Sequence, residues 1–141
     1  MKRSEALAPL SRDHHHGLFV AMHLKRATAD TAAEARQRFL EFWAHEGDVH
    51  FVIEETVLLP AFARRGPHDH EAVVRTLTDH VDLRRRALDV GDASPEQLHE
   101  LGERLSAHIR HEESVLFPLI ETTLDAEELR ALGTEITSRE Q

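Results

Sequence analysis

Residues 50–60 read HFVIEETVLLP, and residues 108–118 read HIRHEESVLFP. Both stretches open on a histidine, place glutamates four and five positions on, and run through apolar residues into a proline. The pattern H-x-x-x-E-E-x-x-x-x-P is therefore written twice, 58 residues apart. Side chains four apart on an α-helix share one face, so His50 with Glu54, and His108 with Glu112, each make a two-pronged set. The apolar neighbours put both sets where a core should form.

Outward from these stretches the chain punctuates itself into helices. Ser11 can cap a first helix running to about Asp30, and Thr31-Ala-Ala-Glu34 has the form of a capping box opening a second that reaches about Arg65. Gly66-Pro67 breaks the pattern. A third helix is expected from about Asp69 to Val90. Ser94-Pro95-Glu96-Gln97 supplies cap, proline and capping-box partner for a fourth, which continues to Pro118 or slightly past. Asp125-Ala-Glu-Glu128 opens a short fifth helix ending around Ser138. No period-2 alternation bounded by turns suggests strands.

The expected architecture is all-α: an up-down-up-down four-helix bundle over about residues 10–123, with a short C-terminal fifth helix over about 125–138, in a single domain. The inward stripes expected are His15, Leu18 and Met22 on the first helix, and Phe39, Trp43, Glu46, His50, Ile53 with Glu54, and Val57 on the second. The third offers Val73, Leu77, His80 and Ala87. The fourth offers Leu98, Leu101, Leu105, His108, Glu112, Val115 and Leu119. Every helix aims at least one histidine inward.

Composition narrows the chemistry. A chain of 141 residues is long enough to bury one apolar core, and the absence of cysteine removes disulfides, thiolate zinc sites, cysteine nucleophiles and iron–sulfur ligation together. There is no tyrosine. A formal net charge of -9 argues against nucleic acid as a partner. No apolar run approaches the roughly 18 residues of a membrane span, and the first residues lack the apolar stretch of a secretory signal. A cytoplasmic location is expected. What remains in quantity is histidine, 12 in all, with many carboxylates.

An unpaired ion costs several kcal/mol to bury, and a whole domain is stable by roughly 5–15 kcal/mol. Two inward glutamates therefore need a positive partner. Arginine and lysine stand beside the seams but seldom on them, which leaves a buried salt-bridge network the weaker explanation. A metal supplies the charge and uses the histidines as well. Imidazole and carboxylate without sulfur suit iron, manganese or zinc. Single histidines from the other two helices complete such a set.

The pattern resembles the hemerythrin-like, or HHE, cation-binding domains. The first-helix histidine followed by x-x-Leu corresponds to His15, the second-helix H-x-x-x-E to His50 and Glu54, the third-helix histidine followed by x-x-Leu to His80, and the fourth-helix H-x-x-x-E to His108 and Glu112. The resemblance implies a non-heme di-iron centre of two iron ions, oxo- or hydroxo-bridged, with Glu54 and Glu112 as bridging carboxylates and an open position on one iron. Respiratory hemerythrins carry a further histidine one turn before the third-helix histidine, where this chain has Thr76. Glu46, His14 and His111 are candidates for the replacement, and Glu113 is the alternative to Glu112. A ferritin-like centre is disfavoured, because the chain has a single Glu-x-x-His, Glu96 to His99, outside the seam. His23, His45, His68, His70 and His99 read as solvated. Trp43, Phe51, Leu116 and Phe117 read as core.

The expected function is reversible binding of a small gas, dioxygen or nitric oxide, for carriage, storage or sensing. An enzyme acting on peroxide or nitric oxide, or repairing iron centres, is the alternative at the same site. A metal-free helical interaction module is the third reading.

Overall fold

The computed structural model describes residues 2–141, and every regular element among them is helical. Helix α1, Ala8–Lys25, begins before the expected Ser11 cap. Leu7 and Leu10 are both fully buried; at about 1.5–3 kcal/mol each, their burial outweighs a serine cap worth ~1 kcal/mol. Pro9, in the first turn, sits where its fixed φ suits a helix start. Helix α2 is one rod over residues 32–63. Ala32–Phe42, Asp48–Ile53 and Leu59–Ala63 are α-helical, and Trp43–Gly47 and Glu54–Leu58 are π-turns. The Thr31 capping box does not form, since Thr31 Oγ1 instead accepts from the Thr28 N–H.

Helix α3, Glu71–Asp89, is capped by the His70 side chain, which accepts from the Ala72 N–H. Helix α4 spans residues 95–123, as Pro95–His111, the π-turn Glu112–Leu116, and Phe117–Thr123. Its Ser94–Gln97 capping box is complete, as is the Asp125–Glu128 box opening α5, Ala126–Glu140.

The two later π-turns have one cause. Pro60 and Pro118 lack the N–H that would bond the carbonyls of Thr56 and Ser114, and their rings crowd those carbonyls. The preceding turn widens, so that the Leu59 N–H reaches Glu54 O and the Phe117 N–H reaches Glu112 O. This wider turn carries the register forward by one residue. Leu116 is fully buried and Val115, expected inward, is 47% exposed. On α3 the inward residues are Val73, Thr76, His80 and Leu83, and Leu77 faces outward. Thr76 tolerates full burial because its hydroxyl donates to Ala72 O.

Two apolar clusters form the core, one around Leu24, Phe39, Leu101 and Leu105, the other around Leu10, Leu58, Phe62 and Leu116. Each successive rod from α1 to α4 crosses the two clusters in the opposite order, and on every rod the inward polar residues lie where one cluster gives way to the other. Leu132 and Ile136 bury α5 against the second cluster. Helices α1 and α4 lie close together at Gly102, where a Cβ would stand 2.8 Å from Ala21 O.

Candidate metal centre

Four rods aim His14, His50, Glu54, His80, His108 and Glu112 into the space between the two clusters, and all six are buried. They compose two overlapping groups, His14, His50, Glu54 and Glu112, and Glu54, His80, His108 and Glu112. Within each group, one ligand atom per residue lies within 4.8 Å of the others. The shared carboxylates divide their oxygens between the groups. Glu54 sets Oε2 3.0 Å from His50 Nε2 and Oε1 3.0 Å from His80 Nε2. Glu112 sets Oε1 2.8 Å from His14 Nε2, and Oε2 3.2 Å from His108 Nε2.

Most of these atoms are close without being hydrogen-bonded. Nε2 of His50, His80 and His108, both oxygens of Glu54, and Oε2 of Glu112 are buried with no hydrogen-bond partner. At roughly 1–3 kcal/mol for each unmet polar atom, the set rivals the whole stability of a domain, about 5–15 kcal/mol. Atoms that converge on common points, most of them misaligned for hydrogen bonds, could serve as ligands to cations. The donor set is imidazole and carboxylate, which fits iron, manganese or zinc.

The other nitrogen of each ring is held by a further carboxylate. Asp13 Oδ2 lies 3.0 Å from His50 Nδ1, Glu55 Oε2 2.7 Å from His80 Nδ1, Asp79 Oδ2 3.0 Å from His108 Nδ1, and Glu113 Oε2 2.6 Å from His14 Nδ1. The supports form a closed circuit, α1 to α2, α2 to α3, α3 to α4 and α4 to α1. A carboxylate at Nδ1 keeps the proton there and turns the Nε2 lone pair inward, as metal-ligating histidines require.

Charge follows the same plan. Six carboxylates, Asp13, Glu54, Glu55, Asp79, Glu112 and Glu113, meet three guanidiniums, Arg3 on Glu113, Arg84 on Glu55 and Arg75 on Asp79. The carboxylates remain in excess, and further positive charge can come from cations or from protons on the imidazoles. Burial works against the charged rings, yet the surrounding carboxylates overcome it in the metal-free protein. Contacts with Glu112 and Glu54 raise His80 to about 9, and the charge of Glu112 with the Asp79 hydrogen bond raises His108 to about 10. His50 is held well above, and His14 above, the ordinary imidazole range. A metal must therefore displace protons to enter.

His15 is a correction. It is exposed, and the first-helix member of the cluster is His14. The inward stripe of α1 is Leu10, His14, Gly17, Ala21 and Leu24, so the expected stripe was one residue, or 100°, out of phase. The structure brings His50, Glu54, His80, His108 and Glu112 together. Glu46 pairs with His16 instead, and His111 sits beside Thr76 and Ala72 O, outside both groups. Glu112 faces the centre while Glu113 orients His14. His99 is not simply solvated, since its Nε2 lies 2.6 Å from Ala27 O, nor is the cap residue His70.

The family described as the hemerythrin HHE cation binding domain matches residues 8–120. The chain belongs to this family. No curated protein and no solved structure matches it. No helix is long and apolar enough to cross a membrane among the described residues of this hemerythrin-family chain.

The supporting carboxylates went unread in the sequence, although a signal for them exists. Asp-His at 13–14 and at 79–80, together with the second glutamate of each Glu-Glu pair, repeats the entire arrangement. A third Asp-His, at 69–70, lies at a helix start and dilutes that signal. Read with the repeat, it selects His14 over His15.

Proposed function

We propose that this hemerythrin-family chain holds two iron ions, one in each histidine–carboxylate group, and binds dioxygen or nitric oxide reversibly. The carrying observation is the division of Glu54 and Glu112 oxygens between the groups, with so many of the facing atoms unpartnered. His14 and His50 would hold one ion, His80 and His108 the other, and Glu54 and Glu112 both. The opposite crossing order of successive rods supports an up-down-up-down bundle with α5 laid against it.

When bound, a ferrous pair supplies electrons to a small gas. The chain's own part is to orient, exclude and hold protons. Asp13, Glu55, Asp79 and Glu113 fix the four rings. A cavity of ≈ 20 Å³ borders His14, His50 and His108 and is lined beyond them by Phe42, Trp43 and Leu105, with Asp13 at its edge. Roughly 10–15 Å³ on the same measure holds one water, so the space suits a molecule of two or three atoms, and its hydrocarbon wall favours an apolar one.

The test is an optical spectrum of anaerobically iron-reconstituted protein before and after oxygen is admitted, with iron counted per chain. Two irons per chain and a spectrum that reverts when oxygen is removed are expected. A chain that takes up no iron would sink the proposal. A second reading, turnover of peroxide or nitric oxide, draws on Thr76, whose hydroxyl is committed to Ala72 O and which leaves the second group with no extra ligand. Consumption of either by the iron-loaded protein would favour it.

A further inference from the structure

Two arginines outside the ligand circuit repeat one geometry. Arg84 donates to Glu55, the carboxylate that holds His80 Nδ1. Its guanidinium lies 5.5 Å from the centre of the Phe51 ring, and Phe51 stacks on His80 at 3.8 Å and 6°. Arg3 reaches Glu113, the carboxylate that holds His14 Nδ1, at 3.3 Å, and donates to the Glu113 backbone carbonyl at 2.6 Å. Its guanidinium lies 5.3 Å from the centre of the Phe117 ring, and Phe117 stacks on His14 at 5.3 Å and 15°. In both places one phenyl ring lies against both the guanidinium and the imidazole, while a glutamate joins the same two groups through hydrogen bonds.

The repeated sequence motif does not account for this. Arg84 follows His80 by four residues, and the residue four after His14 is Leu18. Phe51 follows His50, and the residue after His108 is Ile109. Arg3 comes from the segment before α1, and Phe117 from the turn before Pro118. The same stack is assembled from non-equivalent positions, which points to a demand of the site rather than a by-product of the repeat.

We infer that Arg3 and Arg84 are matched positioning residues for the metal centre, Arg3 locking His14 and Arg84 locking His80, and that the segment preceding α1 is thereby part of the site. Each guanidinium does two things. It pins the glutamate so that the Nδ1–H has a fixed acceptor, and it packs on the ring that stacks on the imidazole, which restricts rotation of the ligand. A plain anchoring role for Arg3 is the competing account, because it also donates to Glu121 at 2.7 Å, and Glu121 accepts from the Ser4 N–H at 2.6 Å.

This inference rests on the metal-binding reading, and two measurements separate their failures. In the metal-free chain, the ring N–H proton resonances of His14 and His80 are compared in wild type, Arg3→Gln and Arg84→Gln. Arg3→Gln is expected to broaden or lose the His14 signal and keep that of His80, and Arg84→Gln the converse. In the iron-loaded chain, release to a chelator should be on the order of ten-fold faster in Arg3→Gln, the low end of what outer partners of metal ligands contribute. Arg3→Lys should recover part of this, while Glu121→Gln, which cuts only the anchor, should lower thermal stability and leave release unchanged. An unaltered His14 signal and release rate in Arg3→Gln, or faster release in Glu121→Gln equal to that of Arg3→Gln, overturns the inference. A wild-type chain that retains no iron overturns the function, and the resonances then still decide the role of Arg3.

Discussion

Asp79 and His108 meet at 3.0 Å across two helices, and Asp79 is the residue immediately before His80. One short segment of α3 thus contributes His80 to the cluster and, through Asp79, orients His108 of α4. Replacing Asp79 with Asn keeps the shape and removes the anionic acceptor. Metal affinity should fall about 10-fold to 100-fold, read by competition with a chelator of known affinity. Unchanged affinity would show that His108 needs no help in facing inward.

The neighbours His14 and His15 separate cleanly. His14→Ala should lose most of its iron and His15→Ala almost none, as counted per chain after reconstitution. His50→Ala and Glu54→Ala should behave like His14→Ala, and His99→Ala like His15→Ala, although loss of the Ala27 contact should lower its stability. Equal iron in the first two variants would contradict the cluster.

The metal-free protein should lose stability on both sides of a plateau. His80 and His108 are raised to about 9 and 10 from a starting 6.5, so their contribution is full below pH 6.5 and disappears as pH climbs through 9 to 10. Glu113 is lowered to about 2 from 4.5, so its contribution is present above pH 4.5 and disappears as pH falls toward 2. Urea midpoints of chelated protein should be highest between pH 4.5 and 6.5. With metal in place the alkaline decline should flatten, because ligated nitrogens carry no proton to lose. A flat profile for the chelated chain would count against the charge assignments.

Gly102→Ala puts a methyl carbon 2.8 Å from the Ala21 carbonyl, a backbone atom that moves only if α1 and α4 separate. It should cost about 1–3 kcal/mol. Gly91→Ala, with nothing within 4 Å of the added carbon, should stay within about 0.5 kcal/mol. Urea denaturation of the two variants side by side checks the contrast.

The helices were legible in the sequence because their ends are marked by Ser94-Pro95, Asp125 and Gly66-Pro67, and the ligand pairs of α2 and α4 because four-residue spacing is set within one helix. The phase of α1 was not. Its start carries no side-chain cap, and three consecutive histidines leave the period alone to choose, with Leu18 and Met22 as apolar as the residues that do face inward. On α3, full burial of Thr76 depended on a hydrogen bond to its own helix, which hydropathy does not report. Val115 was misplaced because a π-turn alters the period within the helix. The orienting carboxylates and arginines depend on side chains meeting across helices, where linear spacing carries little information.

Glu54 and Glu112 each lend one oxygen to either group, so the two ions of the proposed centre would not be independent. An ion captured on one side fixes both anions in the pose the other side needs, and a half-filled chain leaves two oxygens aimed at an empty partner. Occupancy should consequently be all-or-none, with metal titrations populating the empty and doubly filled forms and hardly any between.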